Sequence, residues 1–458
     1  LSNSSNPPQS STDEQLRRLF GLYGQATLNY RNYLFLTLNA RNDWSSTLPK
    51  ANNSYFYPAI EAAFVVSDLP FLSNNTAINY LKLRGALAQV GKDAGPLEID
   101  PQLEPTNLTG GGYKYGFTGP NTNLRPEMTT SREVGFEGRF LDDRINADFT
   151  YFWTHCADQI VSGFRLSYAT GFVLNTLNVG TFDTEGLEAH IDADIIRTPS
   201  GLTWNVGVNA SRTTSEVVYL PKNVTEYYNA YTWNSGNIRN GIMVGHPVTT
   251  LTGRAFERND AGDVLISPTT GLPLVEPTWS VIGNREPKVR FGITTSFNYR
   301  GFMLSGMFAG RFGATVVNGT KRLMMQRGVS WESVALRESD PVVFNGVLKD
   351  GNENTESPTR NNISVNYGAY GESIYTGGDE DWIEDVNYLR LQEIRLSYNL
   401  PSAWLQKGII SRANIYVTGN DVFTWTNYSG IDAVGNTMSA AAGGTGGEGI
   451  DVWGIPNP

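Results

Sequence analysis

Side chains capable of acid–base or metal chemistry are few and scattered in this chain. Three histidines, His155, His190 and His246, occur in 458 residues. None shares with another His or Cys the short spacing that a zinc site needs. Cys156 is the single cysteine, so no internal disulfide framework is available, and one thiol does not identify a compartment. His155 adjoins Cys156 at a strand end, but adjacent strand residues point to opposite faces and make no natural dyad. No phosphate-cradling glycine loop and no nucleophile elbow is present. Carboxylates are plentiful, yet nothing selects one pair for glycosidic chemistry. The expectation is no catalytic residue, no metal ligand and no cofactor.

Binding chemistry is more concentrated. The segment 215–287 gathers Tyr219, Tyr227, Tyr228, Tyr231 and Trp233 among Asn and Thr. Such a cluster suits stacking on sugar rings or capture of a peptide, which makes Tyr227, Tyr228, Tyr231 and Trp233 candidate substrate contacts. Packing within the loop, or a face turned to a partner protein, explains the same composition, and both alternatives stay open. The segment 318–386 holds Met324, Met325, Trp331 and Trp382 with an acidic run of Asp379, Glu380, Asp381, Glu384 and Asp385. Calcium favours such oxygens, but EF-hand spacing is missing, so a solvated acidic loop is expected. A net charge of −10 without any basic cluster disfavours nucleic-acid binding.

The elements that must carry these residues are strands. Residues 144–153 place Ile145, Ala147, Phe149, Tyr151 and Trp153 on one face, with Arg144, Asn146, Asp148 and Thr150 on the other. Residues 187–195 alternate Leu187, Ala189, Ile191, Ala193 and Ile195 with Glu188, His190, Asp192 and Asp194. Residues 202–210 alternate Leu202, Trp204, Val206, Val208 and Ala210 with Thr203, Asn205, Gly207 and Asn209. Alternation of this kind builds either a half-exposed soluble sheet or a barrel with lipid outside and water inside. The composition is rich in Gly (48 residues) and aromatics (12%), and only 17% is charged, as loop-rich β proteins are. The best apolar stretches, Ala59–Val66 and Met303–Ala309, are too short for a membrane helix.

About twelve strands follow from the alternation, near 20–30, 33–42, 55–66, 78–90, 127–140, 144–154, 181–196, 202–213, 288–300, 302–317, 387–399 and 413–425. Short or moderate links alternate with long loops at 43–54, 91–126, 155–180, 215–287 and 318–386. Outer-membrane barrels have this asymmetry, with short periplasmic turns and long extracellular loops. Tyr30, Tyr33, Phe140, Tyr299 and Phe302 cluster near the short turns, as an interfacial girdle does. The phase of the alternation shifts near Gln392-Glu393, which predicts a β-bulge. Asp421 occupies an otherwise apolar phase; it lies either above the lipid band or on a bulge that turns it inward. In the barrel reading Phe149, Ile191 and Val206 face lipid.

Several ordered stretches resemble one family. DVNYLRLQEIRLSYNLP followed by ANIYVTGNDVFTWTNYSGID spans 385–432, and IGNREPKVRFGITTSFNYRGFMLSGMFAGRFG spans 282–313. NLRPEMTTSREVGFEGRFLDDRINADFTYFW spans 123–153, with NVGTFDTEGLEAHI after it; NYRNYLFLTLNARNDWSS occupies 29–46, followed by FYPAIEAAF. In these the chain resembles SusC/RagA-type TonB-linked outer-membrane proteins of Bacteroidota. The resemblance implies an all-β, antiparallel transmembrane barrel with long extracellular loops, of which about twelve strands lie here. It implies 1–19 as a loop remnant, 20–426 as wall strands and loops, and 427–458 as the last extracellular loop without a final strand. No TonB box is recognisable in Leu1–Gln15, so the plug domain, with its coupling to TonB, is expected outside this chain. The implied partners are a SusD-like surface lipoprotein acting as a lid, the remaining strands of the barrel, outer-membrane lipid and a glycan or peptide substrate. The implied function is import of large nutrients. A barrel repurposed as an assembly subunit of a surface complex is the alternative, and a soluble glycan-binding β-protein is a weaker one.

Overall fold

The computed structural model describes residues 14–72, 75–105, 111–164, 169, 171–222, 224–232, 238–338, 341–405, 410–433 and 449–451. Twelve long strands dominate: β1 (Leu19–Tyr30), β2 (Leu34–Ser45), β3 (Ser54–Val65), β4 (Ile78–Lys92), β5 (Glu127–Phe140), β6 (Ile145–Phe164), β7 (Leu174–Arg197), β8 (Thr203–Tyr219), β9 (Val289–Tyr299), β10 (Phe302–Asn318), β11 (Ile383–Asn399) and β12 (Asn414–Thr426). Each pairs with its neighbour in sequence, so the sheet runs β1 to β12 without a crossover. Among the described residues no helix is long and apolar enough to cross a membrane, a statement that does not bear on strands.

Short turns close the hairpins as the links predict. Arg31 and Asn32 both take positive φ (52° and 62°), and Arg300 and Gly301 do the same (48° and 91°). Two successive left-handed residues make the primed turn whose twist matches paired strands. Arg31 caps the ring of Tyr30 at 5.3 Å, and Arg300 caps Tyr299 at 5.1 Å.

Two strands outrun the alternation. β6 continues to Phe164 and β7 begins at Leu174, so most of the segment expected as a loop at 155–180 is strand. Beyond about residue 154 the sequence HCADQIVSGF mixes polar and apolar types on both faces, and backbone pairing persists where the amphipathic signal ends. The predicted bulge is present. Register slips between Met307 and Phe308 against β11, and between Leu391 and Glu393 against β12, which leaves Gln392 unopposed.

The chain divides into two compact units. The first comprises 1–62, 85–132 and 154–181; the second comprises 63–84, 133–153 and 182–458. In the first, Leu48, Tyr55, Ala94 and Leu124 form a small core, flanked by Tyr57, Ile99 and Ile160. Beside it Asp93 accepts hydrogen bonds from the hydroxyls of Ser45 and Thr47 and from the Arg17 guanidinium. Arg17 therefore anchors part of the expected 1–19 remnant; residues 1–13, 434–448 and 452–458 lie outside the described residues.

In the second unit two long loops fold into one body. A four-stranded sheet orders 227–232, 238–242, 250–253 and 280–284. Helices α1 (Gly319–Arg327), α2 (Trp331–Glu338) and α3 (Tyr367–Thr376) belong to the other loop. Leu265 and Ile266 pair in parallel with Val347 and Leu348, which joins the loops through backbone. Ile238, Leu251, Val317 and Ile450 are fully buried together, and Met325, Ile374 and Trp382 form a second core.

Candidate functional site

The wall of the second unit has two chemically distinct faces. Register sets Asn205 opposite Ser296, Gly207 opposite Thr294 and Asn209 opposite Gly292, while Val206 opposes Thr295 and Val208 opposes Ile293. Polar groups so aligned pair with one another. Arg84 on β4 grips both oxygens of Asp148 on β6 at 2.7 and 2.8 Å, and also reaches the Thr150 hydroxyl. A two-pronged guanidinium–carboxylate pair fixes direction as well as charge. Lys82 meets Glu137 at 2.6 Å, and Asn205 donates to Asp192 at 2.9 Å.

The same sheet carries a cavity of about 560 Å³. Asp148, Glu188, His190, Asn209, Arg290 and Arg390 line it from β6, β7, β8, β9 and β11. Arg290 is paired with Glu286 at 2.8 Å and Arg390 with Asp432 at 2.7 Å. The site is a mixed-charge surface of hydrogen-bonding groups. Its arginines carried no signal in the sequence, because a lone Arg on an alternating strand has no motif.

Asp421 belongs to this face. Its φ of 47° marks a bulge in β12, and its carboxylate lies 3.6 Å from the Arg390 guanidinium. The inward alternative is therefore the one realised.

The opposite face is aromatic and aliphatic. Phe149 stacks on Phe136 with centroids 5.9 Å apart, and Trp204 stacks on Phe297 at 5.0 Å. The Trp204 indole N–H donates to the Thr295 hydroxyl at 2.9 Å, so a polar atom on this face is satisfied locally. Ile191 is 49% exposed. Phe149, Ile191 and Val206 thus stand on the face opposite Asp148, His190 and Asn205.

The loop aromatics are partly brought together. Tyr227, Tyr228 and Tyr231 lie on one strand, with register slipping between Tyr228 and Ala230. Arg239 sits between two rings, 4.5 Å from the centre of Tyr228 and 4.1 Å from that of Trp279. Its guanidinium also meets Glu226 at 2.7 Å. Tyr227 is half-buried, and burial pushes its hydroxyl up. Trp233 lies outside the described residues. Arg239 and Trp279 were not legible as partners, because they lie forty positions apart in the loop.

The acidic run is only in part the expected solvated loop: Asp381 and Asp385 are exposed, and the other three carboxylates are engaged. Asp379 is fully buried and accepts from Arg322 at 2.7 Å and from the Arg254 backbone N–H at 2.9 Å. Glu380 pairs with Arg258, and Glu384 with Lys321 at 3.2 Å. These three carboxylates each met a cation distant in sequence, which spacing along the chain cannot display. No group of three His, Cys, Asp or Glu side chains able to hold a metal occurs among the described residues.

The family model described as TonB dependent receptor-like, beta-barrel matches residues 1–367. The chain is 25% identical to TonB-dependent receptor P26 of Formosa agariphila, across 96% of this chain and 45% of that protein. It is 24% identical to TonB-dependent receptor SusC of Bacteroides thetaiotaomicron, across 92% of this chain and 42% of that one. Among solved structures, the RagAB peptide transporter matches with a TM-score of 0.69 at 18% identity, over 91% of this chain and 45% of that chain. The chain thus spans less than half the length of the curated relatives it matches. These relatives are receptors and transporters rather than enzymes, and their barrels reside in the bacterial outer membrane. With four-fifths of its length under the family model, this chain belongs to the TonB dependent receptor-like β-barrel family.

Proposed function

We propose that this chain forms barrel wall and extracellular loops of a SusC-like TonB-dependent importer of large nutrients, glycan or peptide. The observation that carries the reading is the two-faced wall: a paired polar face with a cavity on one side, and stacked aromatics with exposed aliphatics on the other. In this reading Phe149, Ile191 and Val206 contact lipid. The polar face lines the solute path, and the two-loop body stands at its mouth. The structurally similar RagAB is a peptide transporter, which supports a peptide as one substrate class. A SusD-like lipoprotein serves as lid, and TonB acts through a plug region. Tyr227, Tyr228, Tyr231 and Trp233 contribute to the mouth; Tyr228, held by Arg239, acts there chiefly as framework.

The test is deletion of the gene, followed by uptake of single glycans and peptides. Loss of uptake for one solute class, restored by the wild-type gene, is the expected result. Normal uptake with loss of a surface complex would transfer the role to assembly. Spin labels at Phe149, Ile191 and Val206 should be quenched by a lipid-soluble agent, and shielding of all three would remove the barrel-wall assignment.

A further inference from the structure

The seam between the two loops contains a second cavity, of about 30 Å³. Phe256 and Pro273 line it from one loop, and Phe344, Tyr370, Asp381 and Trp382 from the other. Phe344 and Tyr370 are in ring contact, with centroids 5.4 Å apart. Gly378 permits this arrangement, since a Cβ there would lie on the Phe256 ring. Asp381 is the only charged residue among the described residues of the lining. Its neighbours in the acidic run are engaged, Asp379 by Arg322 and Glu380 by Arg258. No hydrogen bond or ion pair engages the Asp381 carboxylate among the described residues.

Size and chemistry together restrict the ligand. A water needs about 10–15 Å³ of such space, so this cavity admits a group of two or three heavy atoms and excludes a sugar ring. Aromatic walls attract a cation through their ring faces, and a carboxylate at the edge adds charge and direction. A hard metal ion would want several oxygens, which one carboxylate among rings does not supply. We propose that this seam pocket binds the terminal ammonium of a lysine side chain presented by a peptide or protein segment, with Asp381 as its counter-charge. Occupancy would tie the two loops together from outside, because its walls belong to both.

The pocket should be sensitive to pH. Local crowding of the carboxyl, with the neighbouring Glu380 charge, pushes Asp381 up to about 6, while the residue as a whole is exposed to solvent. The charged groups facing it are Glu380 and Arg258, which neutralise each other, and the Tyr370 phenol, which burial pushes up to about 12 and so keeps neutral. Below about pH 6 the carboxyl is protonated before a cation arrives, and binding weakens.

The probe is a terminally blocked Gly-Lys-Gly peptide, titrated calorimetrically into the full-length protein in detergent at pH 7.5. One such contact gives a Kd on the order of 1 mM. The same peptide acetylated at the lysine Nζ should lose at least about tenfold in affinity, a comparison that leaves the protein untouched. Asp381→Asn should weaken the unmodified peptide to a similar degree, Asp381→Glu should restore part of it, and wild-type binding should fall between pH 7 and 5. Equal binding of the acetylated peptide, unchanged affinity in Asp381→Asn, or no binding at several-fold above that order of concentration (about 5–10 mM) would each overturn the proposal. The outcome is independent of nutrient import, which the uptake experiment tests separately.

Discussion

The wall and the loop body of the second unit solve the same problem in opposite ways. Wall strands β8 to β12 keep large apolar side chains exposed, among them Phe297, Phe302, Leu304, Leu396 and Val417. Their order rests on backbone ladders and on polar pairs across the other face. The loop body instead buries its apolar groups, with Ile238, Leu251, Val317 and Ile450 at 0% exposure. It even buries an ion pair, Arg322 with Asp379. A wall needs an apolar medium outside it, whereas the body carries its core within, as a water-soluble domain does. Substitutions that insert or remove charge should therefore have effects that differ by region.

The largest expected effect breaks the body. Arg322→Ala leaves Asp379 buried without its cation, and removing one partner of such a pair costs about 3–5 kcal/mol. Burial already pushes the Asp379 carboxyl up against the pull of Arg322 and Arg254, so losing the guanidinium removes one of the two groups that oppose that push. Hydrogen exchange read by mass spectrometry should show the peptides of 250–258 and 318–382 deprotected while those of β8 and β9 stay slow. Uniform deprotection across body and wall would mean that the two are one cooperative element.

The next effect tests the wall. Val206→Arg places a charge on the face opposite Asn205, and a cation at mid-membrane costs a barrel about 2–4 kcal/mol. The readout is urea unfolding in lipid vesicles. A change below about 0.5 kcal/mol, the size of an ordinary surface substitution, would show that this face meets water.

The contrast also explains what was legible in the sequence. Wall strands announce themselves because each residue's face is set by its own position, so Phe149 and Asp148 are sorted by alternation alone. The bulge at Gln392 was legible for the same reason: one extra residue inverts the phase. The body was not legible, since its decisive contacts join residues far apart. Arg322 finds Asp379 across 57 positions and Lys349 finds Glu257 across 92. The acidic run looked solvated because its cations lie on other segments. The long ends of β6 and β7 were missed where neither face keeps one polarity.

A smaller effect has the opposite sign. Asn240 is 1% exposed on the strand between Ile238 and Ile242, and neither atom of its amide has a partner among the described residues. A buried amide left unpaired costs about 1–3 kcal/mol, and Leu has nearly its shape. Asn240→Leu should raise protection of 238–253 by that order. Loss of protection would show that the amide is satisfied in solution by a group such as an ordered water.

The smallest effect lies at the bulge, where wall geometry and charge meet. Asp421 takes a left-handed φ of 47° that Asn tolerates as well as Asp does. Asp421→Asn therefore keeps the bulge and removes only the charge beside Arg390. That pair is long, at 3.6 Å, and the Asp421 side chain is 42% exposed, so the loss should be about 0.2–1 kcal/mol. Arg390 retains Asp432 at 2.7 Å, which further limits the cost. Asp421→Val is the informative partner: it restores the apolar phase of β12 but is β-branched and disfavours a left-handed backbone by roughly 1–2 kcal/mol. If Asp421 is there for its conformation, Val should be the more damaging change in urea unfolding. If it is there for its charge, Asn and Val should cost alike, and the bulge would be a consequence of the pair rather than its cause.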